Sequence, residues 1–260
     1  MKPFFRKGLG LLLFAGCIAV WVVTSSMSLR ERRERTCQGK GSLDVTIADS
    51  LERQFVAKAD VARWLEKEYR AYAGLPLDSV DLAGIEKLVQ AHSVVRDCQA
   101  WLTDDGVLHV ELNQRQPVVR FDDGTNGYYA DETGFVFPLQ SRGSADVPVV
   151  DGHIPMKIPR GFKGSPADPE EKAWLDQIIG MINDIRGTVW EHNIVKITVS
   201  GKKNLVLEPR TGKEKFIFGE PVRVEEKLSL MKAYYESVVP VNPDYRTVDL
   251  RYRGQLVCRK

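Results

Sequence analysis

The sequence predicts an α+β protein on a single N-terminal transmembrane helix, with a β-α-α-β-β domain first and a mixed β domain with two helices after it. Three observations carry this. The uncharged apolar run from Gly8 to Leu29 has no counterpart later in the chain. Residues 42–116 hold helix-period and strand-period patterns in the order β-α-α-β-β. From Pro117 onward, short strand patterns separated by Gly, Asp and Pro turns are interrupted by two helical patterns.

The apolar run follows a short tip, residues 1–7, with Lys2, Arg6 and Lys7, and precedes the charged cluster Arg30 to Arg35. It reaches the ~20 residues that span a bilayer as a helix. A cleaved signal peptide is the alternative, because Thr24 to Ser28 offers small residues to a peptidase. The run exceeds the ~7–15 residues of a signal core, and Trp21 sits near its end as interfacial tryptophans do. Both features favour a transmembrane helix over residues 8–29. Arg30, Arg32, Arg33, Arg35 and Lys40 outnumber the cations of the tip, so a positive-inside count alone points against export. Residues 30–41 read as a charged linker closing on Gly39-Lys40-Gly41.

The elements follow in order. Leu43, Val45 and Ile47 alternate with Asp44 and Thr46, which predicts a half-buried strand. Val61, Trp64, Leu65, Tyr69 and Tyr72 recur at helical spacing until Gly74-Leu75-Pro76 breaks the pattern. Leu82, Ile85, Leu88, Val89 and His92 form the face of a second helix. Strands over Val94 to Leu102 and Val107 to Leu112 are joined by the hairpin signal Asp104-Asp105-Gly106. Beyond Pro117, a strand with Val118, Val119 and Phe121 leads through a Gly- and Asp-rich turn to the hairpin Tyr128 to Pro138. Residues 140–169 read as loops, rich in Pro and Gly. A helix carrying Trp174, Ile178, Met181, Ile182 and Ile185 stops at Gly187. Strands over Ile194 to Val199, Leu205 to Glu208 and Lys215 to Phe218 follow, then a last helix with Val224, Leu228, Met231, Tyr235 and Val238. The chain closes on a strand in which Val248, Leu250 and Tyr252 alternate with Asp249, Arg251 and Arg253.

Composition and motifs bear on function. A net charge of +2 gives no case for nucleic acid, and 28% charged with 43% hydrophobic residues describes an ordinary globular chain. Outside the apolar run, Cys37, Cys98 and Cys258 are odd in number and widely spaced, which indicates neither a disulfide framework nor a zinc site and leaves one disulfide open. His92, His109, His153 and His192 are scattered without metal spacing. Ser229-Leu230-Met231-Lys232 matches the Ser-x-x-Lys of penicillin-recognising enzymes, but its companion Arg210-Thr211-Gly212 precedes it, in the wrong order. Arg210 to Lys213 lacks the residues of a phosphate loop and reads as a turn. Acid pairs Asp122-Asp123 and Glu225-Glu226 fall in a turn and at a helix start, where carboxylates are favoured anyway. No catalytic constellation, metal or cofactor emerges, and the reading is of a binding protein rather than an enzyme.

Three local patterns resemble one family. They are Val110-Glu111-Leu112-Asn113-Gln114-Arg115-Gln116-Pro117, a strand running into Arg-x-Pro, with Gln114 where an acid is common; Asp131-Glu132-Thr133-Gly134 with its following Phe135-Val136-Phe137-Pro138, Val147-Pro148 and Gly152; and the closing Val248-Asp249-Leu250-Arg251-Tyr252-Arg253-Gly254. In order and spacing they resemble the bacterial cell-division family FtsQ/DivIB, over nearly the whole chain. The resemblance implies a POTRA domain at 42–116 and a family-specific β domain at 117–260. It implies a non-enzymatic divisome scaffold at the bacterial inner membrane, its C-terminal bulk on the extracytoplasmic side and enriched at the septum. Implied partners are small single-span coiled-coil proteins of the FtsB/FtsL type, through which septal peptidoglycan synthesis is influenced. POTRA domains also precede outer-membrane barrels, but the charged, helix-interrupted C-terminal half lacks a barrel's lipid-facing band. An anchored envelope enzyme acting on peptidoglycan and a secreted binding protein are the alternatives. Within the scaffold reading, the closing strand is expected to dock a partner by strand addition, through Leu250, Arg251, Tyr252, Arg253, Gly254, Gln255 and Leu256. The competing reading of those arginines is protection of an exposed edge.

Overall fold

The computed structural model describes residues 14, 16–27, 35–37, 43–48, 55–69, 72–201 and 204–260. Residues 16–27 are helical, with Ile18, Trp21, Val22 and Met27 exposed. Among the described residues no helix is long and apolar enough to cross a membrane. The tip and the rest of the expected span, residues 8–13, 15, 28 and 29, lie outside them. Within the expected linker, Cys37 is buried, its N–H donates to Leu75 O at 2.8 Å, and Thr36 bridges Pro76. Those residues are therefore part of the first folded unit.

The chain divides into a unit ending at Gln114 and another beginning at Arg115. In the first, strands β1 (Leu43–Ile47), β2 (Val95–Leu102) and β3 (Leu108–Gln114) form a sheet of order β1-β3-β2, with β1 parallel and β2 antiparallel to the central β3. Helices α1 (Lys58–Trp64) and α2 (Leu82–Gln90) precede β2. Val45, Ile47, Cys98, Leu108, Val110 and Leu112 are buried with Val61, Leu65, Ile85 and Val89 of the helical segment, while Asp44, Thr46, Gln99 and Trp101 remain exposed. Period-2 alternation thus separates a helix-covered face from an open one. Asp81 caps α2 by accepting from Gly84 N at 2.9 Å. Where one helix was expected through Tyr72, α1 passes into a π-helical stretch, Leu65–Tyr69. Tyr69 Oη there accepts from Asp81 N at 3.0 Å and donates to Asp81 O at 3.1 Å, tying the stretch to the α2 cap.

The second unit contains β4 (Pro117–Asp122), β5 (Gly127–Asp131), β6 (Val136–Pro138), β7 (Val149–Gly152), α3 (Pro169–Ile185), β8 (Ile194–Ser200), β9 (Asn204–Pro209), β10 (Lys215–Gly219), α4 (Val224–Ala233), β11 (Thr247–Asp249) and β12 (Val257–Arg259). All strands join one sheet of order β12-β11-β10-β9-β8-β7-β4-β5-β6. The pairs β7/β8 and β10/β11 are parallel, and each is bridged by a helix. Strands β7 and β10 point the same way and step toward the same edge, so right-handed crossovers put α3 and α4 on one face. The two helices contact each other and bury Trp174, Ile178, Met181, Leu228 and Met231 against the sheet. Asp168 caps α3 through Glu170 N at 2.8 Å, and Pro169 occupies the first turn, where no N–H is needed.

Two sequence expectations are corrected here. Residues 149–152, expected in a loop, form β7, a parallel strand between β4 and β8. Four residues with two valines carry no readable period, and the neighbours that make them a strand are distant in sequence. The closing strand is two strands: β11 stops at Asp249, the chain turns, and β12 returns antiparallel to it. Leu250 stays buried beside Val248, but Tyr252 is exposed in the turn rather than on their face.

Gln114 ends β3 and is 1% exposed, and its Oε1 accepts from Phe55 N at 2.8 Å and Val56 N at 2.9 Å. Either a glutamine or an acid can fill that role. Gln114→Leu should remove the acceptor that the Phe55 and Val56 amides share and cost about 2–4 kcal/mol, whereas Gln114→Glu should retain most of the stability. Urea unfolding followed by tryptophan fluorescence measures both.

Candidate functional site

Two of the three family-like patterns meet in one clasp. Arg115 Nη1 lies 2.8 Å from Asp131 Oδ2, and its guanidinium carbon sits 3.5 Å above the Phe135 ring. Asp131 Oδ1 accepts from Thr133 N at 2.9 Å, Thr133 Oγ1 at 2.6 Å and Phe135 N at 3.1 Å. A carboxylate 5% exposed is tolerated only with such partners. Arg-x-Pro and Asp-x-x-Gly are therefore two halves of a structural lock on the β5–β6 hairpin, and Gly134, at φ +76°, closes its turn.

The third pattern makes the turn between β11 and β12. Asp249, 1% exposed, accepts from Arg251 N at 3.2 Å, Arg251 Nε at 2.9 Å and Arg251 Nη2 at 2.6 Å. These contacts fold the chain back just where the alternating pattern suggested continued strand. The turn is also fastened to α4: Gly254 N donates to Glu226 Oε1 at 2.7 Å, and Arg223 Nη2 donates to Arg251 O at 3.1 Å. Arg223 has φ 56°, the one non-glycine residue with positive φ among those described. Its guanidinium also pairs with Glu226 at 3.3 Å. Strain of this kind persists where the surroundings over-determine it. The Arg251 guanidinium holds Asp249 below the ordinary carboxylate range, and the Gly254 amide, aided by Arg223, does the same for Glu226.

The expected docking residues thus divide. Leu250 is core, fully buried. Arg251, Tyr252, Arg253, Gly254 and Gln255 stand exposed on the turn, and Leu256 is half-buried against the core. The free strand edge is β12 itself, Val257–Arg259, which pairs with β11 on one side and with no strand on the other among the described residues. At the opposite end of the sheet, β6 is covered by a reciprocal pair, Val136 N to Gly164 O at 2.8 Å and Gly164 N to Val136 O at 3.0 Å. Gly254, a turn residue at φ 65°, was the available signal that the closing strand breaks. Glu226 and Arg223, which hold the turn, gave none, because they sit in a helical pattern.

Other chemically suggestive residues have structural partners. Lys232 reaches Glu236 at 3.6 Å, and both it and Ser229 are exposed on α4. Arg210 pairs with Asp146 at 3.1 Å. His92 stacks on Trp64 and His109 on Trp101. Among the described residues no group of three His, Cys, Asp or Glu side chains is placed to hold a metal. Cys37, Cys98 and Cys258 are free thiols pushed up by burial, Cys98 to about 11. Lys227, 2% exposed, donates to Phe218 O and Glu220 O, both at 2.8 Å, and joins the end of β10 to α4. Burial pulls it down to about 8.

Residues 116–259 match the family model described as FtsQ/DivIB, C-terminal related, and residues 36–113 match that of a POTRA-like domain. No curated protein matches the chain.

Asp249→Asn should loosen the turn and cost about 1–2 kcal/mol at pH 7. A carboxylate depressed in the folded state contributes above its ordinary value, here 3.8, and the contribution is lost as pH falls through the folded value. The stability gap between wild type and Asp249→Asn should therefore be constant from pH 7 to about 5 and shrink below about 4. Thermal denaturation across that pH series measures it.

Proposed function

Since the chain belongs to the FtsQ/DivIB family, whose members are non-enzymatic division scaffolds, we propose that it is itself a membrane-anchored scaffold of the bacterial divisome. In this reading it bridges division proteins at the inner membrane and helps control septal peptidoglycan synthesis without performing a reaction. The apolar run Gly8 to Leu29 is the anchor, and residues 30–260 lie on the extracytoplasmic side.

The observation that carries the scaffold reading is the open edge at β12 beside a fastened turn. A strand edge offers backbone donors and acceptors to an extended segment, and flanking side chains supply selectivity. Tyr252, 49% exposed, and the cations Arg251, Arg253 and Arg259 flank this edge. Three-residue length and flanking cations also keep the edge from pairing indiscriminately. In this reading the partner is a small single-span coiled-coil protein of the FtsB/FtsL type, an extended segment of which adds a strand to β12.

A fluorescent fusion in live cells should form a ring at midcell, and uniform membrane distribution would sink the scaffold reading. In the same cells, a photo-cross-linkable residue at Arg259 should capture the FtsB-type partner, while one at Lys172 on α3 should not. Equal capture at both positions would remove β12 as the docking edge.

A further inference from the structure

In the first unit, the sheet face that the helices leave open carries an aromatic platform. Asp44, His109 and Trp101 stand opposite one another on β1, β3 and β2, and so form one row across the sheet. His109 Nδ1 lies 3.2 Å from Asp44 Oδ2 and its Nε2 lies 3.4 Å from Thr103 Oγ1, so both ring nitrogens are engaged. The imidazole stacks on the Trp101 indole at 5.2 Å between centroids and 5° between planes. Trp101 nevertheless stays 40% exposed on the edge strand β2. A surface tryptophan needs no explanation by itself. One stacked on an imidazole that is held at both nitrogens is a preorganised surface.

The surroundings of the platform are acidic. Thr46, Glu111 and Gln99 make the next row along the strands, and Asn113 and Asp97 follow. The three strands and the β2–β3 turn together carry Asp44, Asp97, Asp104, Asp105 and Glu111 against one arginine, Arg96, which pairs with Asp97 at 2.8 Å. The Asp44 side chain is 52% exposed, and Glu111 makes no ion pair among the described residues. A guanidinium already sits at this end of the sheet: Arg35 Nη1, from the segment before β1, donates to Asp104 O at 3.1 Å.

We infer that this face docks an extended, arginine-bearing segment of a partner protein, one guanidinium lying on the Trp101 indole and the next reaching Glu111. Charge selects a cation here and disfavours an acidic segment. A planar guanidinium stacks on an indole and forks onto a carboxylate, which a compact ammonium does less well. The spacing fits as well. Successive rows on one sheet face are two residues, about 6.8 Å, apart, and alternate residues of an extended segment are separated by the same distance. Arginines at every second position therefore meet the Trp101 row and the Glu111 row in turn. This surface belongs to the first unit and does not depend on docking at β12.

The probe is a blocked heptapeptide of alternating glycine and arginine, added to the full chain in phosphatidylcholine nanodiscs. Indole N–H NMR should show the Trp101 signal shifting saturably while that of the buried Trp174 stays in place. Fluorescence anisotropy of the labelled peptide gives the affinity. Trp101→Leu should weaken binding about threefold and Glu111→Gln about twofold, and raising sodium chloride from about 50 to about 300 mM should weaken it further. The same peptide with citrulline, the neutral isostere of arginine, should bind at least about tenfold less tightly, the loss of several charge-assisted contacts. Circular dichroism checks that the variants fold, and Glu111→Gln carries the test if Trp101→Leu does not. An unmoved Trp101 signal, equal affinity for the citrulline peptide, or unaltered affinity in a folded Trp101→Leu or in Glu111→Gln would each overturn the assignment. So would tighter binding of an N-acetylglucosamine tetramer, which would make the platform a glycan site.

Discussion

An open β-sheet must end twice, and the second unit treats its two ends differently. At β6 the last strand is met by Gly164, whose N–H and C=O both bond to Val136. At β12 the ladder stops at three residues with no strand beyond among those described. Unpaired backbone is a hazard when it invites any strand and a resource when it admits a chosen one. Helix placement leaves this edge open: the two crossovers step in the same direction and stack α3 and α4 on one face, not across the end of the sheet.

An edge is selective only if its surroundings hold still. Asp249 folds the chain back onto itself through Arg251, while Glu226 and Arg223 fasten the resulting turn to α4. The left-handed backbone of Arg223 is conformational strain, offset by the contacts its guanidinium makes to both elements. A partner that meets a turn already in place has less chain to order on binding, which is the general advantage of preorganisation. The clasp of Arg115 and Asp131 does comparable work at the start of the unit, where it shapes the hairpin carrying β6.

Long periodic elements were legible from residues alone. The faces of α2 and α3, with Ile85 and Val89 or Trp174, Ile178 and Ile182 inward, follow from helical spacing, and the β2–β3 turn from Asp104-Asp105-Gly106. What escaped depends on distant neighbours. Strand β7 is four residues whose extended form comes from pairing with β4 and β8. The closing pattern Val248 to Arg253 alternates well enough for one strand, but alternation does not register that Asp249 bonds to Arg251 two residues on and ends it. The expected docking residues were consequently centred on a turn, adjacent to the edge rather than on it. Glu226 and Arg223 were invisible for the same reason, since their partners lie 28 residues away in sequence.

Backbone amide hydrogen exchange of the full chain, with and without a soluble segment of the proposed FtsB-type partner, tests the central claim most directly. Strand addition at β12 predicts slowed exchange at Val257 to Arg259, with β5 and β6 unaltered. Protection confined to the first unit, or absent from β12 under saturating partner, would contradict it.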